Sequence, residues 1–282
     1  MRSVSQRRRQ LAPIALGLVL ICALVLFERR TRFPSVDIEL FKKPRFAVGA
    51  ATTSVAFFVG TGGTFVLSLY LQQLRGHTAI EAGLLMLPLA IGSMYAGTRS
   101  GHLVQRLGGA RALCLCGMGT ALGAASFALV DGDTSLVVIE ITLAVLGLGF
   151  GGAFALGMAL AMSVVPPERV GAGSAVANTV RHMGTALGIA VLGSVLASSY
   201  QSAMSDSGLP QEAIASLGST VQASSALPAG SRAQVLDTAQ AAFIDGFHAA
   251  MWVGAALSLA AGLIALVVLR TRPVPAPAAA VS

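Results

Sequence analysis

Residues 136–162 read LVVIEITLAVLGLGFGGAFALGMALAM, and this stretch decides the fold class of the chain. It contains one charged side chain, that of Glu140, and no proline. A helix needs about 20 mostly apolar residues to cross roughly 30 Å of hydrocarbon, and this run is longer than that minimum. The sequence therefore predicts that residues 136–162 form a membrane-spanning helix.

The same apolar character recurs along the whole chain. Of its 282 residues, 55% are hydrophobic and 11% are charged, and the mean hydropathy is +0.76. An average soluble domain has roughly 25% charged residues, and a soluble core could not hide this much apolar surface from water. We therefore predict an all-α membrane protein with seven transmembrane helices. Their expected ranges are 11–27, 46–71, 80–98, 110–130, 136–162, 173–198 and 248–269.

The basic residues are distributed unevenly over the segments between these runs. In a seven-span arrangement, twelve Lys and Arg residues share one side of the membrane, whereas Arg75 and Arg232 lie on the other. The positive-inside rule makes the first side cytoplasmic, places the C-terminus there, and makes residues 200–247 an external loop. The twelve are Arg29, Arg30, Arg32, Lys42, Lys43, Arg45, Arg99, Arg106, Arg111, Arg169, Arg270 and Arg272.

Four arginines near the N-terminus conflict with this arrangement, because they precede run 11–27 and would lie outside the cell. Either the first helix is topologically frustrated, or the natural chain continues upstream of Met1. The run has no small-residue cleavage site at its end, so we interpret it as a retained helix rather than a signal peptide. The four are Arg2, Arg7, Arg8 and Arg9.

Several function classes find no support in the residues. The net charge of +7 and the sequence pI of about 10.2 would suggest nucleic acid in a soluble protein, but basic and aromatic residues are not interleaved here. Motifs for an enzyme, a metal site or a bound cofactor are missing from the sequence. The three cysteines, Cys22, Cys114 and Cys116, lie inside apolar runs, where we expect reduced packing residues.

Small residues repeat at helical spacing in three of the predicted helices. Close packing of helices in lipid depends on such residues, because they let two backbones approach. We therefore expect a compact bundle of contacting helices. The patterns are Gly119-x-x-x-Gly123, Gly147-x-x-x-Gly151 and Gly184-x-x-x-Gly188.

Arg181 lies within the apolar run 173–198, where a charge is costly. At about 100° per residue, Asn178, Gly184 and Gly188 lie within about 60° of it, so the arginine shares the small-residue face and points into the bundle. One interpretation is an internal cation for transport or gating, with Asn178 beside it. The other is an arginine near the interface that extends its head group to the membrane surface.

Other polar and helix-breaking residues have structural and functional interpretations. Glu140 lies one turn inside its run, where it either carries a proton with a raised pKa or reaches the outer head groups. His182 points about 100° away from Arg181, which favours a structural role. We expect Pro88 to kink its helix and Asp245 to cap the start of the last helix.

Residues 101–111, GHLVQRLGGAR, resemble the signature loop of the major facilitator superfamily, written G-x-L-a-D-r-x-G-r-r. The signature acid is replaced by Gln105, which puts its charge interaction in doubt. A second stretch, 167–188, resembles the penultimate helix of the fourteen-helix drug–proton antiporters of that superfamily. The signature residues that match are Gly101, Leu103, Arg106, Gly108 and Arg111.

This resemblance implies the C-terminal half of such a transporter. Residues 1–45 would be an extra transmembrane helix with a basic linker, 46–272 the six-helix bundle, and 273–282 a Pro/Ala-rich cytoplasmic tail. Segments 211–218 and 232–246 of the external loop look weakly amphipathic and are expected to form short helices at the outer mouth.

The function that the resemblance implies is proton-coupled efflux of amphiphilic or apolar drugs by alternating access, in the cell membrane and together with an N-terminal transporter half. The alternative is a truncated, non-transporting membrane protein or a structural partner subunit. A polytopic membrane enzyme is a distant third, because no reactive cluster faces a common side.

Overall fold

The computed structural model describes residues 38–270 except Gly208 and Ala226. Within that part, six helical segments are long and apolar enough to cross a membrane, so six of the seven predicted spans are confirmed. The predicted span 11–27 and the tail 273–282 lie outside the described residues. The eight α-helices are α1 Pro44–Leu69, α2 Ala79–Leu85, α3 Leu87–Leu107, α4 Gly109–Phe127, α5 Leu136–Met162, α6 Val170–Ala203, α7 Leu217–Ser224 and α8 Ala229–Arg270.

Helix α1 lies at the centre of the bundle and packs against α5, α6 and α8. Helix α4 packs against α5 and α8, while α3 packs mainly on α5. The main core cluster lies at the end of α1 where the helix continues as a π-helical turn, Tyr70–Leu74. There the rings of Tyr70 and Phe247 are 5.2 Å apart, and Phe127 meets Phe247 edge-on at 6.1 Å.

The connection between α4 and α5 is tied to this core by two side chains from the π-helical end of α1. The Arg75 guanidinium donates to the carbonyls of Gly132 (2.6 Å) and Thr134 (2.9 Å). The Tyr70 hydroxyl donates to the Asp131 carbonyl at 2.7 Å. These bonds satisfy loop carbonyls that would otherwise need water, so this end of the bundle is held together by polar contacts as well as by packing.

Glycines set the distance between neighbouring helices. A Cβ atom at Gly184 would collide with the Ser54 carbonyl of α1, and one at Gly188 would collide with the Phe58 carbonyl. On the other side of the bundle, Gly147 and Gly151 of α5 lie equally close to the carbonyls of Leu89 and Ser93 in α3. The backbones of these helix pairs are therefore in direct contact, which a side chain at any of these positions would prevent.

The second span is broken near its start. Helix α2 ends at Leu85, Met86 forms the break, and Pro88 lies in the first turn of α3. A proline lacks a backbone N–H and is tolerated in a first turn, where that group has no intrahelical partner. The expected distortion at Pro88 thus takes the form of an interruption between two helices.

Three expectations for the segment before the last span are wrong. Residues 211–216 form turns and bends, and the helix there is α7, which starts six residues later than expected, behind the capping box of Ser216 and Ser219. Residues 232–246 belong to the continuous helix α8, because Ala239, Phe243 and Phe247 continue its buried face on the N-terminal side of the predicted span 248–269. Asp245 consequently lies in mid-helix with an exposed side chain and caps nothing.

We expect Gly184→Ala to destabilise the bundle by about 1–3 kcal/mol, the usual cost of forcing a methyl group into a packed contact. The physical reason is the collision with the Ser54 carbonyl. Gly171→Ala in the same helix is the matched control, because its Cβ would meet open space. Denaturant unfolding of the purified variants in mixed micelles measures both. Equal stability of the two variants would contradict a close α1–α6 contact.

Candidate functional site

Helices α5 and α6 flank α1 and have little contact with each other, which leaves a trough between them. We define the central trough by Phe57 on α1, Phe150 and Phe154 on α5, and Arg181 on α6. All four side chains are partly buried. The central trough is therefore a surface to which three helices contribute and on which none of the four side chains is fully buried.

Three phenylalanine rings form the floor and one wall of the central trough. The Phe57 ring meets Phe150 at 5.1 Å and Phe154 at 5.2 Å between centroids, both nearly edge-on. Edge-to-face pairs at such distances are favourable and hold the rings in a defined orientation. The central trough thus has a preformed aromatic surface that a ligand or another protein surface can contact.

Arg181 supplies the positive charge of the central trough. Its guanidinium carbon lies 4.9 Å from the centroid of the Phe57 ring, within the range of a cation–π contact. One terminal nitrogen is 3.1 Å from Nε2 of His182. Within the described residues, its buried Nε has no hydrogen-bond partner. The arginine therefore keeps donor capacity that the described residues do not use.

The depth of Arg181 follows from the two helices that it joins. It lies eleven residues beyond the start of α6, or about 16 Å at about 1.5 Å per residue. Phe57 lies thirteen residues beyond the start of α1, or about 20 Å along that helix. Both residues therefore lie several turns inside their helices and not at a helix end.

The α1–α6 contact holds Arg181 in place. The Ser54 hydroxyl donates to the Val180 carbonyl at 3.0 Å, one residue before the arginine. Gly184 and Gly188 follow within two turns and contact the carbonyls of Ser54 and Phe58. Three close contacts therefore fix the rotation of α6 on α1, and with it the direction in which Arg181 leaves its helix.

The structure does not bring all the predicted site residues together. Asn178 lies one turn before Arg181 and is partly buried. Glu140 lies ten residues before Phe150, about 15 Å away along α5, and is partly exposed. It is too far from the trough to contact a molecule bound over Phe57.

The signature loop also lies outside the central trough. Gly101 and Arg106 are exposed on α3, and Gly108 ends that helix with a φ of +78°, which favours glycine. Arg111 is exposed in the first turn of α4. These residues form the connection between α3 and α4, away from the aromatic floor.

The aromatic residues of the site were not singled out by the sequence. Phe57, Phe150 and Phe154 look like ordinary residues of apolar helices, and an Arg181–Phe57 contact joins residues 124 positions apart. The available signal was the spacing of Phe150 and Phe154, which puts both rings on one face of α5. That spacing alone does not distinguish a site from a core or a lipid-facing surface.

Comparison with known proteins supports the resemblance seen in the sequence. The sequence model described as Major Facilitator Superfamily matches residues 7–189. The multidrug resistance protein Stp of Mycobacterium tuberculosis is 33% identical over 177 residues, which are 62% of this chain and 33% of that protein. The multidrug efflux pump LfrA of Mycolicibacterium smegmatis is 30% identical over 264 residues, which are 92% of this chain and 52% of that protein.

A third relative comes from a different bacterial group. The methyl viologen resistance protein SmvA of Salmonella typhimurium is 30% identical over 236 residues, which are 81% of this chain and 47% of that protein. The chain thus spans from a third to about half of the length of these relatives.

A double-mutant cycle tests the contact between Arg181 and Phe57. We expect Phe57→Leu and Arg181→Met to show a coupling free energy of about 0.5–2 kcal/mol, the usual range for a cation–π pair. Unfolding of the two single variants and the double variant measures it. Phe57→Leu combined with Arg99→Met is the control, because Arg99 lies over Tyr95 instead and should add independently. Additivity of both pairs would contradict the contact.

Proposed function

Because this chain belongs to the Major Facilitator Superfamily, we propose that it forms one of the two helical bundles of a drug efflux transporter. In this proposal the central trough is one wall of the drug-binding site, and a second bundle, from a longer form of the protein or from another chain, provides the opposite wall. Alternating access would arise from rocking of the two bundles about that site.

The observation that carries this proposal is a partly buried arginine, Arg181, well inside an apolar helix and over the Phe57 ring. A charged side chain that faces lipid at the bilayer centre costs at least about 2.5–3.5 kcal/mol, so it calls for a water-filled cavity or a second protein surface. The described residues provide no carboxylate within salt-bridge distance of it. A second bundle that closes over a wet central cavity removes this cost.

The chemistry of the central trough suits a range of apolar and aromatic molecules. Aromatic rings offer contact area to apolar and aromatic molecules without demanding one shape, as a multidrug site requires. The guanidinium adds a planar set of donors that can anchor an acceptor group. We therefore propose amphiphilic or apolar drugs as substrates, held over Phe57 and oriented by Arg181.

Coupling to protons is part of the proposal, following the resemblance to drug–proton antiporters. Glu140 lies about 15 Å along α5 from the trough, so any contribution to transport would be made at its own end of the helix. There it would act as a gating or proton-carrying group and would not contact the drug. Asn178 would be a neighbour of the site through its place beside Arg181.

We further propose that the C-terminus is cytoplasmic and that the α6–α8 connection is external, as the positive-inside rule indicates. Gln222 on α7 is exposed, so Gln222→Cys should react with an impermeant maleimide in intact cells once Cys22, Cys114 and Cys116 are replaced. Gln105→Cys, exposed at the opposite end of the bundle, should react only after permeabilisation. The reverse labelling pattern would contradict this orientation.

The role of Arg181 is tested by transport in a complete two-bundle transporter that contains this chain. We expect Arg181→Ala to lower extrusion of a fluorescent amphiphilic dye by about tenfold or more, since a charged hydrogen bond is lost. Arg181→Lys should also impair extrusion, because an ammonium group does not reproduce the planar guanidinium. Extrusion is measured per amount of folded protein in the membrane.

Arg232→Ala and Arg232→Lys are the matched controls, because Arg232 is exposed in the first turn of α8 and does not belong to the central trough. They should extrude the dye normally. Near-normal extrusion by Arg181→Lys would favour an arginine that only reaches for the membrane surface. Uncoupler-sensitive extrusion by the chain alone would contradict the need for a second bundle. Inactivity of every two-bundle form would favour the alternative that the chain is a structural partner subunit.

A further inference from the structure

A second concave surface lies on the outside of the bundle, between α3, α4 and α5. It encloses about 480 Å³ and is separate from the central trough. We propose that this groove binds an anionic phospholipid from the surrounding leaflet. We define the α3–α4 groove by a basic edge, Arg99, His102 and Arg106, and an apolar floor that includes Leu115 and Leu148.

The basic edge is a single stripe along α3. Arg99, His102 and Arg106 follow each other at spacings of three and four residues, so their side chains leave the same face of the helix. All three are exposed, and the Arg99 guanidinium lies 5.7 Å from the centroid of the Tyr95 ring. Among the residues that the structure describes, no Asp or Glu lines the groove, so none of them compensates its positive charge from within.

The floor of the groove is suited to an acyl chain. Leu115 and Leu148 are exposed. Between them α4 and α5 are in close contact at Gly119, Gly149 and Gly152, which have no side chains that would fill the groove above this contact. Along α3 the groove extends from Tyr95 to Arg106, about 16 Å at about 1.5 Å per residue. This length equals about half of the roughly 30 Å hydrocarbon core, which is the depth of one leaflet.

The charge pattern favours an anionic lipid over the other candidates for this space. The chain's own apolar run 11–27 is flanked by arginines at both ends, Arg7 to Arg9 and Arg29 to Arg30, which the basic edge would repel. A zwitterionic lipid would place its own cation beside the arginines. Free phosphate would satisfy the edge but leave the apolar floor empty. An anionic phospholipid matches both parts, with its phosphate at Arg99 and Arg106 and an acyl chain against Leu115 and Leu148.

The experiment is a lipid competition on the purified full chain. The protein in detergent is mixed with equal amounts of phosphatidylglycerol and phosphatidylcholine of the same acyl chains, and retained lipids are counted by native mass spectrometry. We expect preferential retention of phosphatidylglycerol. Arg99→Gln and Arg106→Gln should each lower this preference by about fivefold, and together by about twenty-five-fold.

Arg270→Gln is the matched control, because Arg270 is exposed at the same end of the bundle but does not line the groove. It should leave the preference unchanged. Equal retention of the two lipids would overturn the proposal. An equal loss of preference in Arg270→Gln would also overturn it, because it would show general attraction of lipid to a basic surface. Displacement of the lipid by millimolar inorganic phosphate would overturn it as well, because it would show a simple anion site.

A second measurement locates the lipid independently of the arginine variants. Trp252 is the only tryptophan of the chain, so Leu148→Trp in a Trp252→Phe background places a single fluorophore on the groove floor. Phosphatidylglycerol with brominated acyl chains should quench this fluorophore more strongly than brominated phosphatidylcholine. Equal quenching by the two lipids would place the anionic lipid elsewhere and would overturn the assignment to this groove.

Discussion

The rest of the bundle depends on direct contact between helix backbones. Lipid provides little hydrophobic drive for helices to associate, so packing must come from close approach. At Gly184 and Gly188, α6 lies against carbonyl oxygens of α1, and at Gly147 and Gly151, α5 lies against those of α3. These contacts fix how each helix is rotated about its axis. Rotation in turn decides which side chains face a neighbour, a cavity or lipid.

The central trough is a consequence of that rotation. With α6 held on α1 by its glycines and by the Ser54 hydroxyl, the face of α6 that carries Arg181 is turned towards Phe57. The aromatic rings of α5 complete the surface, because α5 packs on another side of α1. A charge with unused donors is costly against lipid, and this cost is why our proposal places a partner surface and a substrate over the central trough.

The regularities that the sequence predicted well are those that act within one helix. The predicted ranges 136–162 and 110–130 agree with α5 and α4 to within a few residues, because the length of a long apolar run indicates the length of the membrane helix. The errors came where a helix leaves the membrane. Hydropathy alone predicts that the last helix begins after Asp245. Helix α8 instead continues through this residue, because Phe243 and Phe247, which precede the predicted span 248–269, pack into the core.

The sequence by itself determined that this chain is a bundle of membrane helices, that Arg181 shares a face with two glycines, and that residues 101–111 resemble a superfamily signature. All of these depend on composition and on the period of one helix. Only the tertiary structure decided that Arg181 meets Phe57, that Phe150 and Phe154 stand beside it, and that α3, α4 and α5 enclose a basic groove. Those contacts join residues far apart in the chain, and they depend on helix rotation and crossing, which hydropathy and periodicity do not encode.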